Sequence, residues 1–319
     1  MLNFFKKSKN KKDAPHQPTR LQEARNTYNY MLEQKRCYSN RYFVNKRYEE
    51  FTGRLPNIDN PTLLTEKIQW IKLHYNNPLY AKCADKYAVR AYVESKGYGH
   101  ILNDLIGVYT RAEDIHLEKL PNKFVLKATH GCAWNYLCRN KSEEILQWED
   151  TKLLLEEWLK QDFSIFSREL HYGYIPPRII CEQFLETADG HDLKDYRIHC
   201  FHGEPKMIQV EYGRFTKHER NYYDLDWSLI ELRWGTPTPN PDINDRPPAN
   251  LAEMLEVSRA LSADFGYVRV DLYNVEGKIV FGELTLTPLS GFGKPEPEEM
   301  DAEMGSWWTL PMESEYVIK

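Results

Sequence analysis

The stretch that most constrains the fold is Val268 to Pro288, VRVDLYNVEGKIVFGELTLTP. Val268, Val270 and Leu272 alternate with Arg269, Asp271 and Tyr273, the period of two that marks a β-strand. Asn274 to Lys278 supply a turn with Glu276-Gly277 at its tip. Ile279-Val280-Phe281 and then Glu283-Leu284-Thr285 form the return strand. Side chains two apart share a face, so Arg269 goes with Asp271 and Glu283 with Thr285. A hairpin can bring those faces together and put an arginine, two carboxylates and a hydroxyl in one small volume. Two carboxylates that close repel each other unless a cation lies between them. Hard oxygen donors of this kind suit Mg2+, which takes one or two carboxylates together with phosphate oxygens. The plainer reading is a solvated polar face with an Arg–Asp cross-strand pair. On this stretch alone the plainer reading is preferred.

With 319 residues, the chain has room for one large or two modest domains. Its hydrophobic fraction of 41% and charged fraction of 28% are those of a soluble globular protein. A formal net charge of -5 gives no overall case for nucleic-acid binding. No apolar run approaches the roughly 18 residues of a membrane span. The start, MLNFFKKSKNKK, lacks the apolar core of a secretory signal, so the expected location is the cytosol. Cys37, Cys83, Cys132, Cys138, Cys181 and Cys200 form no CxxC pair and are expected as free thiols, with no zinc site.

Residues 1–20 read as a basic flexible tail, with five lysines beside Phe4 and Phe5. Such a tail suits weak contact with an anionic membrane surface. Residues 21–120 read as mostly helical. Helices are expected over 21–51, over Thr65 to Tyr75, and over Asp85 to Lys96, where Lys86 and Arg90 lie one turn apart. Residues 121–185 open with a strand, Lys123 to Lys127, that runs into the turn Ala128-Thr129-His130-Gly131-Cys132-Ala133-Trp134-Asn135. A small-residue turn after a strand suits backbone N–H groups pointing at phosphates. No GK[ST] ends it, so it is not a Walker A loop. His130 is as good a loop hydrogen-bonder as a chemical participant. Ser142 to Lys160 reads as a helix and Arg178 to Leu185 as an apolar strand holding Glu182. In residues 186–319, Asp192 to Phe201 alternates, giving Lys194 and Tyr196 to one face and Asp195, Arg197 and His199 to the other. Met207 to Val210 is its partner strand, 221–250 reads as irregular loop, and Leu251 to Ala263 as a helix.

Five stretches in this order, DKYAVRAYV, LPNKFVLKATHGCAWN, CEQFLE, DLKDYRIHCFHGEPKMIQV and the opening hairpin, resemble the ATP-grasp superfamily. The resemblance is nearest to its TupA-like branch, found with bacterial surface-polysaccharide genes, and runs from about Asn77 to Gly293. It implies an α+β fold in which two subdomains close on ATP. Residues 121–185 would be the first, with phosphate loop and hinge, and 186–319 the second, with the metal and catalytic site. It also implies roles. Lys127, Lys86, His130 and Gly131 would meet the ATP phosphates. The backbone of Glu182, Gln183, Phe184 and Leu185 would meet adenine, and Asp189 the ribose. Lys194 would approach the terminal phosphates. Asp271, Glu283 and Thr285 would hold Mg2+, and Arg269 would stabilise the transferred phosphoryl group and the acyl oxyanion.

The turn HGCAWN carries fewer glycines than many ATP-grasp loops. Thr285 stands where many relatives have Asn, and no Rossmann-like βαβ pattern opens the chain. The implied reaction is ATP-dependent carboxylate–amine ligation through an acyl phosphate, with no side-chain nucleophile. By family analogy it attaches an amino acid to a hexuronic acid in capsule, O-antigen or exopolysaccharide synthesis. Two other readings stay open. One is a glycosyltransferase with a nucleotide-sugar donor, for which Asp224-Leu225-Asp226 is a poor DxD motif. The other is a non-catalytic nucleotide-binding protein.

Overall fold

The computed structural model describes residues 19–187, 193–213, 216–243 and 245–318. Five helices come first: α1 (Arg20–Cys37), α2 (Asn40–Thr52), α3 (Leu64–His74), α4 (Pro78–Ala84) and α5 (Val89–Ser95). The span 21–51, expected as one helix, is two. Ser39 interrupts it, because its hydroxyl accepts the Tyr42 N–H and caps a new start. Gly53, with φ of 79°, ends α2. The helix expected from Asp85 begins only at Val89. Asn77 caps α4 with Pro78 in its first turn, and the Asp85 carboxylate then takes the Tyr87 N–H. Lys86 therefore sits on a turn and not on a helix face.

Four antiparallel strands make the first sheet: β1 (Leu105–Tyr109), β2 (Phe124–Ala128), β3 (Asn135–Cys138) and β4 (Ile179–Gln183), in the order β1-β4-β2-β3. The sequence reading had no strand at β1, which lies in the stretch expected to be mostly helical. Between β3 and β4 run α6 (Lys141–Glu144), α7 (Trp148–Lys160) and α8 (Ser164–Ser167). Leu154, Leu155 and Trp158 of α7 pack with Phe124 and Leu126 of β2. Ile145, Leu146 and Leu153, apolar in the expected helix, face solvent instead.

The remaining strands are β5 (Asp195–Phe201), β6 (Glu204–Tyr212), β7 (Glu219–Tyr223), β8 (Leu229–Ile230), β9 (Arg233–Trp234), β10 (Tyr267–Val275), β11 (Lys278–Thr285) and β12 (Pro295–Glu296). Six of them form an antiparallel sheet in the order β11-β10-β5-β6-β7-β8, and β9 pairs with β12. β7 corrects the reading of 221–250 as irregular. Its Arg220 and Asn221 look loop-like in sequence but are buried, bonded to Glu211 and to the Asn240 carbonyl.

α9 (Leu251–Ser262) covers one face of this sheet, where Met254, Val257 and Leu261 meet Ile198, Val268 and Val270. The same core takes Ile68 and Ile71 of α3, Tyr92 of α5 and Met304 of α10 (Glu299–Ser306). Trp308 is buried in it, so the C-terminal tryptophans cap the core. The opposite face of the sheet carries the charged residues, as strand alternation requires.

Candidate active site

Glu276 (φ 53°) and Gly277 (φ 87°) turn the opening hairpin, and the Asn274 side chain accepts the Gly277 N–H at 2.9 Å. Two successive left-handed residues match the right-handed twist of the flanking strands. Arg269 then pairs with Thr285 and Asp271 with Glu283. The register shifts after Asp271, leaving Gly282 as the extra residue of a bulge. A Cβ at Gly282 would lie 2.9 Å from the Asp271 carbonyl oxygen, so no side chain fits there.

The four polar groups converge as the alternation implies. Arg269 donates to both Asp271 oxygens, Nε to Oδ1 at 2.7 Å and Nη2 to Oδ2 at 2.6 Å, and to Thr285 Oγ1 at 3.0 Å. The Thr285 hydroxyl lies 3.2 Å from Glu283 Oε1. Arg269 and Asp271 are buried, whereas the Glu283 side chain is 44% exposed at the mouth. Burial pushes the Asp271 carboxyl up, against the two guanidinium nitrogens that hold it.

A second guanidinium stands beside the first. Arg197 lies opposite Asp271 on β5, with Nε 3.8 Å from Asp271 Oδ2. It also reaches Asp195 Oδ2 at 2.7 Å and Glu211 Oε1 at 3.1 Å. Glu211 further accepts from His218 Nε2 and Arg220 Nε, both at 2.6 Å. Burial alone would raise the Glu211 carboxyl, but His218, Arg197 and Arg220 together hold it well below the usual carboxylate range. The sequence reading gave this part to Lys194. Lys194 lies on the other side of the strand's alternation and bonds Asp245 at 2.5 Å beside the Tyr212 ring. It does not line the cleft. The usable signal was the odd-numbered face of KDYRIH, which sets Arg197 with Asp195 in the register of Asp271.

The first sheet supplies the facing wall. Lys127 Nζ bonds Glu182 Oε2 at 2.6 Å, Arg90 Nη1 lies 3.6 Å from Glu182 Oε1, and Lys86 donates to the Gly131 carbonyl. Burial would lower the Lys127 ammonium, but the Glu182 carboxylate reverses this and raises it. Lys86, Arg90 and Lys127 share one cavity of about 100 Å3 with Arg197, Asp271 and Glu283. Glu182 thus faces the cleft with its side chain, where the sequence reading used only its backbone. The Gln183 N–H already meets the Asp104 carbonyl at 3.0 Å and its carbonyl the Asn103 amide at 2.8 Å. Phe184 is buried beneath the Arg139 guanidinium and Leu185 is half-buried.

His130 is turned away from the cleft. Its Nε2 meets the Trp158 carbonyl at 2.9 Å, its ring stands edge-on to Trp134, and burial pushes it down. A Cβ at Gly131 would lie 2.5 Å from the Trp134 ring, so the turn is packed against tryptophan and is not an open cradle. Asp189 lies outside the described residues.

Asp224 is committed to a turn, accepting the Asp226 N–H at 3.0 Å and the Ser228 N–H at 2.7 Å. Neither Asp224 nor Asp226 lines the cleft. Among the described residues no cluster of three or more His, Cys, Asp or Glu is suited to a metal. The fit for Mg2+ is thus two carboxylates and a hydroxyl on one hairpin face. A carboxylate has about four lone-pair sites, so Asp271 retains acceptor capacity beyond its bonds to Arg269.

Residues 66–308 match the family model described as TupA-like ATPgrasp. The chain belongs to this family. Its ATP-grasp fold accounts for two sheets facing across a polar cleft. No curated protein matches. Among solved structures it is similar to D-alanine–D-alanine ligase from Bacillus anthracis, with 17% identity, a TM-score of 0.41, and coverage of 68% of this chain and 62% of that one. The enzyme of the same name from Helicobacter pylori shows 16% identity and a TM-score of 0.40, covering 72% and 59%. An L-amino acid ligase from Bacillus licheniformis shows 16% and 0.39, covering 74% and 47%. The chain spans less than two thirds of the length of each, and likeness this distant carries no substrate across.

Proposed function

We propose that the protein is an ATP-dependent carboxylate–amine ligase that forms an amide through an acyl phosphate. Its substrates in this reading are an amino acid and a hexuronic acid of a bacterial surface polysaccharide. The observation that carries it is the meeting of Lys86, Arg90, Lys127 and Glu182 with Asp195, Arg197, Asp271 and Glu283 in one cleft, with Arg269 bonded behind Asp271. Four cations set among four carboxylates, two of them on the hairpin, suit a polyphosphate with its metal and the charge that moves during transfer.

In this reading the ATP phosphates take Lys127 from Glu182. The present cavity of about 100 Å3 is below the roughly 300–1,000 Å3 of small-molecule pockets, so the two sheets part as ATP enters. The Phe184–Leu185 backbone receives adenine, since the Gln183 N–H and carbonyl are taken by Asp104 and Asn103, and Asp189 receives the ribose. Asp271 and Glu283, with Thr285 beside them, would hold Mg2+, which supplies charge neutralisation at the phosphates. Arg197, in the place first given to Lys194, steadies the terminal phosphate. Arg269 orients the carboxylate whose oxygen attacks the γ-phosphorus, releasing ADP. The amine then attacks the acyl carbon, loses a proton, and phosphate leaves.

ATP with Mg2+ is expected to raise the melting temperature. At 100 times Kd the gain is about 2.7 kcal/mol. A UDP-sugar that shifts the melting curve where ATP does not would favour the glycosyltransferase. Lys127→Ala is expected to weaken ATP binding about 10- to 100-fold, the worth of one charged hydrogen bond. Calorimetric titration of the folded variant checks this, and unchanged affinity would move the phosphates elsewhere.

A further inference from the structure

The exit of the opening hairpin is held by buried polar groups that the proposed reaction leaves unused. β11 lies at one end of the six-stranded order and has a sheet partner on one side only. Past the bulge at Gly282 its ladder with β10 is short, from Asp271↔Glu283 to Arg269↔Thr285, and there it ends. Glu283 and Thr285, two of the oxygen donors proposed for Mg2+, therefore stand at the very end of an edge strand. Groups that bind a metal must be held to within about 0.5 Å, so this edge needs a second anchor.

The chain supplies one directly after Thr285. Leu289 (φ 52°), Ser290 (φ 54°) and Gly291 (φ 67°) are successive left-handed residues, and the first two carry a Cβ. Such a backbone persists only where its surroundings over-determine it. Ser290 has every polar group engaged. Its N–H donates to the Thr287 carbonyl at 2.8 Å and its hydroxyl to Glu169 Oε2 at 2.8 Å, while its carbonyl accepts from Lys72 Nζ at 2.9 Å and Gln69 Nε2 at 3.0 Å. Thr287 donates its hydroxyl to Glu169 Oε1. A Cβ at Gly291 would meet Gln69 Nε2 at 2.5 Å and Ile68 Cγ2 at 2.7 Å, so α3 packs on the backbone of the turn itself.

Gln69, Lys72, Glu169, Thr287 and Ser290 are all buried. Gln69 and Lys72 come from α3, and Glu169 from the segment between α8 and β4. The helical region and the first-sheet unit thus both grip the end of the hairpin. Burial pushes the Lys72 ammonium down and the Glu169 carboxyl up, and each opposes the shift of the other. Apolar side chains of similar volume often serve stability as well as buried charges do, which points to a use for these bonds beyond stability.

We propose that Glu169, with Lys72 and Gln69, is a positioning residue for the metal end of the hairpin: its carboxylate fixes Thr287 and Ser290, and through them the place of Glu283 and Thr285 in the cleft. This role rests on the ligase reading, in which Asp271, Glu283 and Thr285 hold Mg2+.

The test is Mn2+ uptake by the full chain with a non-hydrolysable ATP analogue, read from the free-ion signal in electron paramagnetic resonance. Lys72→Met with Glu169→Leu removes both charges together, so neither is left buried without its opposite. This variant is expected to melt near the wild-type temperature and bind the analogue, yet take up Mn2+ about tenfold more weakly. Lys72→Met with Glu169→Gln keeps an amide that can bond both hydroxyls, and is expected to recover Mn2+ affinity to within about twofold. Should the first variant not fold, Ser290→Ala, which removes a single hydroxyl, is expected to weaken Mn2+ uptake about threefold. Wild-type Mn2+ affinity in the first variant, or in Ser290→Ala where the first does not fold, would overturn the proposal and leave the metal site in place. So would a Glu169→Gln variant as weak as the Glu169→Leu one. Uptake by the wild type no greater than that of the analogue alone would remove the metal site, and the proposal with it.

Discussion

Glu283→Gln is expected to lower ADP formation about a thousandfold while ATP still binds. The Glu283 side chain is 44% exposed and lies 3.9 Å from Arg269, so its neutral isostere leaves the hairpin standing. What it removes is one of two carboxylates proposed to hold Mg2+ against the phosphates, and a residual rate should need more Mg2+. Asp271→Asn should lose as much activity, but for a mixed reason. Asp271 is buried with both oxygens bonded to Arg269, so the variant also leaves a buried guanidinium without its counter-charge. Breaking such a pair costs about 3–5 kcal/mol. The two substitutions together should lower activity little more than either alone, since the residues act as a unit. Arg269→Lys should be poor as well, because an ammonium cannot reproduce the two-pronged bond to Asp271. Steady-state ADP release across a Mg2+ series, with ATP titrations on the same folded samples, measures all four.

The second large effect belongs to the charge cluster around Arg197 and Glu211. Arg197→Met should cost about 3–5 kcal/mol, because Asp195 and Glu211 lose a common partner inside the sheet. For a domain of this size that is a fall in Tm of roughly 6–20 °C. Arg197→Lys should recover part of the stability and little of the activity.

The Glu211 carboxyl is held below its ordinary value in the folded state. Its stabilisation is therefore fully present above the unfolded carboxyl value of about 4.3 and is lost as pH falls toward the folded value. Wild type should exceed Glu211→Gln by about 3–5 kcal/mol near neutrality, and the gap should close in acid. Urea unfolding of both proteins from neutral to strongly acidic pH checks the sign. A gap that stays constant would mean that the carboxylate's charge is not what the cluster uses.

The hairpin was legible because Val268 to Tyr273 alternates strictly and Glu276-Gly277 is a turn signal that acts locally. The bulge was not, because Gly282 earns its place through the Asp271 carbonyl on the neighbouring strand. The same division recurs elsewhere. Lys127 at a strand end could be read from KFVLK, but its partner Glu182 is distant in sequence and joins it only through the pairing of β2 with β4. Lys194 was chosen over Arg197 although the alternation itself set Arg197 beside Asp195. The face that matters is fixed by β10, which lies beside β5 in the sheet and far from it in the chain. β7 was missed for a related reason: buried Arg220 and Asn221 read as loop residues until Glu211 and the Asn240 carbonyl are known to meet them. Local periodicity reports the elements, whereas burial of charge depends on partners that the order of residues does not reveal.

The most direct measurement follows one oxygen atom. A hexuronic acid labelled with oxygen-18 in its carboxylate is incubated with ATP, Mg2+, amino acids and the protein, and the released phosphate is examined by mass spectrometry. Ligation through an acyl phosphate predicts one labelled oxygen per inorganic phosphate, formed together with ADP and only when an amine is present. Unlabelled phosphate, or AMP with pyrophosphate in place of ADP, would contradict it.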